Sequence, residues 1–277
     1  MDVRKEYVLS VLVAFVGMLI IATCSATKGQ LSPQTTTLQQ KDAAIDIDIP
    51  SPLHGTSERI LYRKAYVVSY NSVNRIPNWV AWHLTAEHAK GRIKRPNNAW
   101  HEDVDVVTPR ATSQDFRDSG WTRGHMCPAG DNKWDKEAMY ETFLLTNCCP
   151  QNGNLNSGDW NQIEMSCRKW AERFGDVYIV CGPILFKQQH ETIGPNKVTV
   201  PEAFFKIVAC LNSEPKGIGF ICRNTEGKRK KDFYVNTISQ VERITGMTFF
   251  PHLKPEVARA VKNRADLKAW DNCRVRH

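Results

Sequence analysis

The sequence predicts one α+β domain: a central antiparallel sheet with packed helices. Three observations carry this reading. Short runs rich in β-branched and aromatic residues recur along the chain, residues 160–174 carry a helical apolar period, and two apolar runs flank a turn at Pro215 and Gly217. At 277 residues the chain is long enough for one large mixed domain or two small ones, and no internal repeat is evident.

The elements follow in order. Ala65-Tyr66-Val67-Val68-Ser69-Tyr70 and Trp79-Val80-Ala81-Trp82-His83-Leu84 read as strands because their side chains suit a pleated, half-buried surface. A short helix over Trp134 to Glu141 leads into an apolar strand, Phe143-Leu144-Leu145-Thr146. Trp160, Ile163, Cys167 and Trp170 recur every three or four residues, which predicts a helix to Phe174. Val177 to Cys181 is a buried strand, and Ala203 to Leu211 with Ile218 to Cys222 form a hairpin. Ser239-Gln240-Val241-Glu242 fits a capping box for a short helix that Gly246 ends. Pro255 opens a last amphipathic helix running to about Trp270.

Residues 1–24 read as a signal peptide, since Arg4 and Lys5 precede an apolar run from Val8 to Ala22 that is short for a membrane span. Cys24 at its end suggests a bacterial lipoprotein anchored to the membrane there, although Thr23 stands where Gly or Ala is usual. Cleavage after Ala26 would instead release a periplasmic or secreted protein, and a retained N-terminal anchor is the third option. Residues 25–55 are a flexible polar linker, and 56–277 form the globular domain.

The formal charge of +8 favours polyanionic partners such as nucleic acid or anionic surfaces. It concentrates in Lys90-Gly91-Arg92-Ile93-Lys94-Arg95 and Lys228-Arg229-Lys230-Lys231, which could equally be solvated loop tips. Cys24 aside, eight cysteines remain, an even number that suggests disulfides in an exported chain. Cys210 and Cys222 flank the hairpin and are the most plausible local bridge; Cys181 reads as a buried thiol. The absence of any Cys-x-x-Cys pair argues against a structural zinc site.

Two clusters carry chemistry. The first is Gly120-Trp121-Thr122-Arg123-Gly124-His125-Met126, and the second runs from Asn156 through Gly158 and Trp160 to Glu164, with Arg168 one turn later. Phosphodiester hydrolysis needs a base for water, a hard cation on the leaving oxygen, and positive charge for the phosphorane. His125 can be the base, worth about 10²–10⁴-fold. Arg123 and Arg168 can meet phosphate oxygens, and Glu164 shares a helix face with Arg168. Asn156 offers a carbonyl oxygen to Mg²⁺, which keeps most of its waters and suits so sparse a donor set. Blander readings stand beside these: one histidine among eight, a surface ion pair, and a plain turn at Asn156-Ser157-Gly158.

At these clusters the chain resembles the DNA/RNA non-specific endonucleases of the ββα-metal (His-Me finger) superfamily, which includes secreted bacterial nucleases and mitochondrial endonuclease G. The family signature Asp-Arg-Gly-His is similar to Thr122-Arg123-Gly124-His125. Its downstream block is similar to Thr146-Asn147, Pro150-Gln151, Leu155-Asn156, Trp160 and Glu164. The resemblance continues through Tyr178 to Pro183, Val200-Pro201…Phe205-Lys206 and Glu242…Phe250.

The resemblance implies a ββα-metal catalytic motif, with His125 on a β-hairpin and Asn156 to Arg168 on the crossing helix. It implies His125 as general base, Asn156 as direct Mg²⁺ ligand and Glu164 as holder of metal-bound water. Arg123 and Arg168 would stabilise phosphate, and Asn147 would position the loop. The implied activity is metal-dependent, sequence-non-specific hydrolysis of DNA and RNA to 5′-phosphate ends, with Mn²⁺ able to substitute and a homodimer conceivable. Thr122 departs from the family Asp and removes a carboxylate beside the metal shell. The competing reading is a non-catalytic surface protein that binds nucleic acid with a degenerate nuclease fold; a third is a phosphodiesterase for small phosphate esters.

Overall fold

The computed structural model describes residues 49–97 and 99–272. The expected signal peptide, Cys24, most of the polar linker and Cys273 lie outside the described residues. Ile49 and Leu53 pack against the sheet, and the Ser51 N–H donates to the Thr248 carbonyl at 2.9 Å, so ordered packing begins ahead of the first strand.

The strands are β1 (Arg59–Tyr62), β2 (Val67–Asn71), β3 (Ile76–Thr85), β4 (Thr122–His125), β5 (Cys148–Gln151), β6 (Asp176–Ile184), β7 (Thr192–Ile193), β8 (Val198–Thr199), β9 (Ala203–Cys210), β10 (Lys216–Arg223) and β11 (Val235–Asn236). The helices are α1 (Ala86–Ala89), α2 (Lys136–Glu141), α3 (Gly153–Leu155), α4 (Asn161–Phe174), α5 (Ile238–Thr245), α6 (Pro255–Lys262) and α7 (Leu267–Asp271). A seven-stranded sheet has the order β1-β2-β3-β6-β9-β10-β11, with every neighbouring pair antiparallel. The expected α+β architecture with a central antiparallel sheet is therefore present.

Both faces of the sheet are covered, which is why its middle strands are apolar without a clean alternation. In β9 all eight residues are buried. Phe204, Lys206 and Val208 point to the α4 side, while Phe205, Ile207 and Ala209 point to the α5 and α6 side, as the two-residue period of a strand requires. Helix α4 forms as its period predicts, burying Ile163, Cys167, Trp170 and Ala171. Gly175 ends it at φ 94°, a conformation that costs glycine nothing.

Four expectations are corrected. Phe143 to Thr146 is not a strand. Leu144 makes an isolated bridge to His101 and Leu145–Asn147 is a 3-10 turn, because Thr146 and Asn147 spend their side chains on Asp103, Cys127 and Thr142. The capping box of α5 belongs to Thr237 with Gln240, not to Ser239, although Gly246 ends the helix as expected. The last helix is two, since the chain leaves helical form after Lys262 and Asp266 caps α7 by accepting from the Ala269 N–H. Cys210 and Cys222 are not bridged: Cys210 faces Lys216 and Cys222 faces Phe204, which puts the two roughly 20 Å apart along the ribbon. All seven described cysteines are free and buried.

Candidate active site

Strands β4 and β5 form a separate two-stranded antiparallel ribbon, pairing Thr122 with Gln151 and His125 with Cys148. They are joined by residues 126–147 rather than by a tight turn. Gly124 suits this crossing, since a Cβ would lie 2.7 Å from the Cβ of buried Gln151. Asn147, fully buried, locks the chain leaving His125. Its Oδ1 accepts from the Cys127 N–H at 2.9 Å, and its Nδ2 donates to the Cys127 and Thr142 carbonyls.

The imidazole of His125 lies between two aromatic rings, 4.3 Å from Trp100 and edge-on to Phe143 at 5.0 Å. Its Nε2 is buried without a hydrogen-bond partner among the described residues. Burial, reinforced by the positive charge of Arg95, holds its pKa well below the usual 6.5, so the ring is neutral at pH 7 and able to accept a proton.

Asn156 opens a π-helical turn, Asn156–Trp160, that joins α3 to α4; Gly158 inside it leaves helical φ/ψ. The Asn156 amide nitrogen donates to the Thr122 Oγ1 at 3.1 Å and faces the Arg123 carbonyl at 3.5 Å, while the Thr122 hydroxyl donates to the Gln151 carbonyl at 2.8 Å. A carbonyl only accepts, so this arrangement assigns Nδ2 to the ribbon and leaves Oδ1 free. Thr122 thus orients the Asn156 amide without contributing a charge.

His125, Asn156, Glu164 and Arg168 line one cavity of about 330 Å³, together with Arg95 and Asn161 among others. Burial raises the Glu164 carboxyl to about 7, against the pull of Lys206 and Arg168. Arg168 donates to the Asp131 Oδ1 at 2.8 Å, and Asp131 also accepts from the Trp82 indole. Lys206, wholly buried, sits under this wall with its ammonium 4.5 Å from the Trp160 ring and 4.9 Å from the Trp82 ring.

Arg123 does not join this group. Its guanidinium donates to the Ser113 carbonyl and stacks over Phe116, away from the cavity wall. Arg95 takes the place it was expected to fill. The basic run signalled Arg95 only as one of several interchangeable charges; its distinction is that it lies over Phe143 at 5.0 Å, beside His125. Asp131 and Trp100 carried no sequence signal, since each meets its partner only through the tertiary fold.

Among the described residues no group of three or more His, Cys, Asp or Glu converges to hold a cation. A free amide oxygen and one carboxylate on the same wall fit a hard divalent ion that keeps most of its water, and do not fit zinc, which asks for nitrogen or sulfur ligands.

The ribbon bearing His125 and the helix α4 that follows Asn156 together make a ββα arrangement around one cavity. Residues 46–256 match the family described as DNA/RNA non-specific endonuclease. The human mitochondrial nuclease EXOG is 36% identical over 220 residues, covering 73% of this chain and 59% of its own. Human mitochondrial endonuclease G is 31% identical, covering 69% of each chain. A solved structure of the EndoG/EndoGI complex superposes with a TM-score of 0.71 at 26% identity, covering 78% of this chain and 92% of that one. The chain belongs to the DNA/RNA non-specific endonuclease family, and it spans about three-fifths of the length of EXOG.

These relatives correct the expected location. Both human proteins are named mitochondrial, which overturns the reading of a bacterial exported protein anchored at Cys24 or released to the periplasm or medium. Two basic residues ahead of an apolar run do not distinguish export from other targeting routes, and Thr23 already departed from the lipoprotein pattern.

Proposed function

We propose that this chain is a divalent-metal-dependent endonuclease that hydrolyses phosphodiester bonds of DNA and RNA without sequence preference, working in the mitochondrion. The observation that carries the reading is the convergence of His125, Asn156 Oδ1, Glu164 and Arg168 on one cavity. Neutral His125 takes a proton from the attacking water. Arg95 and Arg168 offer cationic hydrogen-bond donors to the non-bridging phosphate oxygens, where negative charge grows. Burial is the main cause of the lowered imidazole pKa, and a phosphate paired with Arg95 would screen only the smaller contribution of that charge.

Asn156 and Glu164 would hold Mg²⁺, with Mn²⁺ as substitute, and the bound ion supplies Lewis acidity at the leaving oxygen. Water attack opposite the 3′-oxygen forms a new P–O bond as P–O3′ breaks; the 3′-oxygen takes a proton from solvent and His125 returns its own to solvent, leaving 5′-phosphate and 3′-hydroxyl ends. The test is digestion of plasmid and RNA by the full chain with Mg²⁺ and with chelator, followed by end-group labelling. Cleavage of both polymers, only with metal and with 5′-phosphate ends, is expected. Metal-independent binding without cleavage would instead favour a nucleic-acid-binding protein on a degenerate nuclease fold.

A further inference from the structure

Helix α4 has a second polar flank. Glu164 and Arg168 face the His125 cavity, whereas Ser166, Trp170 and Arg173 face a different cavity of about 430 Å³, completed by Lys169, Lys231 and Asp271. Between the flanks runs an exposed ridge of Gln162, Met165 and Lys169. Three cations and one carboxylate line this second cavity. Lys231 donates to the Ser166 Oγ at 2.9 Å and pairs with Asp271 at 3.0 Å, over the Trp170 ring at 5.1 Å. Arg173 spends one nitrogen on the Trp270 and Asp271 carbonyls. Lys169 on this wall and Lys230, the residue before Lys231 in the chain, are exposed, and their side chains have no hydrogen bond or ion pair among the described residues.

The loop that brings Lys230 and Lys231 here is fastened to the catalytic turn. Asp159, three residues after Asn156, accepts from the Arg229 N–H at 3.0 Å and from the Tyr234 hydroxyl at 2.5 Å. The basic loop and the turn bearing Asn156 are therefore held in one frame. A helix with its side chains is roughly 10–12 Å across, and the major groove of B-DNA is about 12 Å wide. A duplex straddling α4 could thus present one strand's phosphate to His125 and the other strand's phosphate to the far flank.

We propose that Lys169, Arg173, Lys230 and Lys231 form a second-strand phosphate site, so that the protein holds duplex nucleic acid across α4 while acting on one strand. This rests on the endonuclease reading for the first strand. It gives the second basic run a job that a solvated loop tip would not have.

The test measures binding of a 20-base-pair duplex, and of one of its strands alone, to the full chain in EDTA at several salt concentrations. Lys169→Ala and Lys230→Ala are compared with wild type and with Lys254→Ala, an exposed lysine remote from either cavity. Thermal melts check that each variant is folded. Each of the two site variants is expected to weaken duplex binding about 3- to 10-fold. Each should also lower the slope of log K against log salt by about one, because one phosphate contact is lost. The single strand should lose much less, so the duplex-to-single-strand ratio falls. An unchanged duplex slope, or an equal loss on both ligands, overturns the second-strand site. If no chain cuts nucleic acid yet the duplex ratio still falls in the variants, the endonuclease reading fails and the second-strand site stands.

Discussion

Strand β9 serves two regions that share a sheet and little else. On one face Phe205 and Ile207 join Trp79, Val180, Phe249 and Phe250 in a mainly apolar layer under α5 and α6, where the Trp79 Nε1 is the one of these side-chain polar atoms buried without a partner among the described residues. There α5 is closed at both ends, by a Thr237–Gln240 capping box and by Gly246 at φ 71°. On the other face Phe204 and Val208 flank Lys206, and the layer above them contains buried Asp131, Asn147 and Gln151 together with a π-turn. The His125 Nε2, the Arg123 Nε and both amide atoms of Gln151 are buried there without partners among the described residues. Burying polar atoms in this way costs stability, and such costs gather at sites where chemistry uses them. The α5 side stabilises; the α4 side spends some of that stability on a reactive surface.

The comparison breaks most easily on the stabilising side. Phe205→Ala should cost about 3–5 kcal/mol, because a buried ring leaves a cavity the sheet cannot collapse into. Denaturant unfolding would show the loss, while kcat of the protein that remains folded stays near wild type. A large fall in kcat at full folding would show that the two faces are not separable.

On the reactive side, Thr122→Val keeps the shape and deletes the hydroxyl that orients Asn156. Mg²⁺ or Mn²⁺ affinity, measured by calorimetry, should fall about 10-fold, the lower end for a partner that orients a ligand, with Thr122→Ser restoring it. Equal affinity in all three proteins would remove Thr122 from this role.

A smaller effect concerns pH. The Glu164 carboxyl is raised from the usual 4.5 to about 7, mainly by burial. Its protonated form is favoured in the folded chain, so its contribution to stability is full below 4.5 and is lost as pH rises through 7. A cation prefers the carboxylate, so metal affinity runs the opposite way, climbing across that window and levelling above it. Glu164→Gln should flatten the climb; a wild-type profile flat from pH 5 to 8 would contradict the assignment.

The two sides were also unequally legible from sequence. Local periodicity announced α4, the strands β3, β6, β9 and β10, and the glycine that ends α5. The four-residue motif and the spacing from Asn156 to Arg168 pointed to the reactive wall. What stayed hidden depends on contacts between distant residues. Arg168 meets Asp131, Trp100 meets His125, and Arg95 rather than Arg123 reaches the cavity. The Cys210–Cys222 bridge failed for a related reason: proximity at a hairpin is set by register, and register depends on how both strands pack.

The central claim is that His125 does chemistry rather than hold the fold, and one paired measurement addresses it. Phosphodiester cleavage and the thermal midpoint are recorded together for wild type and His125→Ala, with Mg²⁺ present. Loss of cleavage by about 10²-fold or more, with the midpoint within a few degrees, is the expected result. Cleavage that persists at the wild-type rate, or vanishes only because the protein no longer folds, would contradict it.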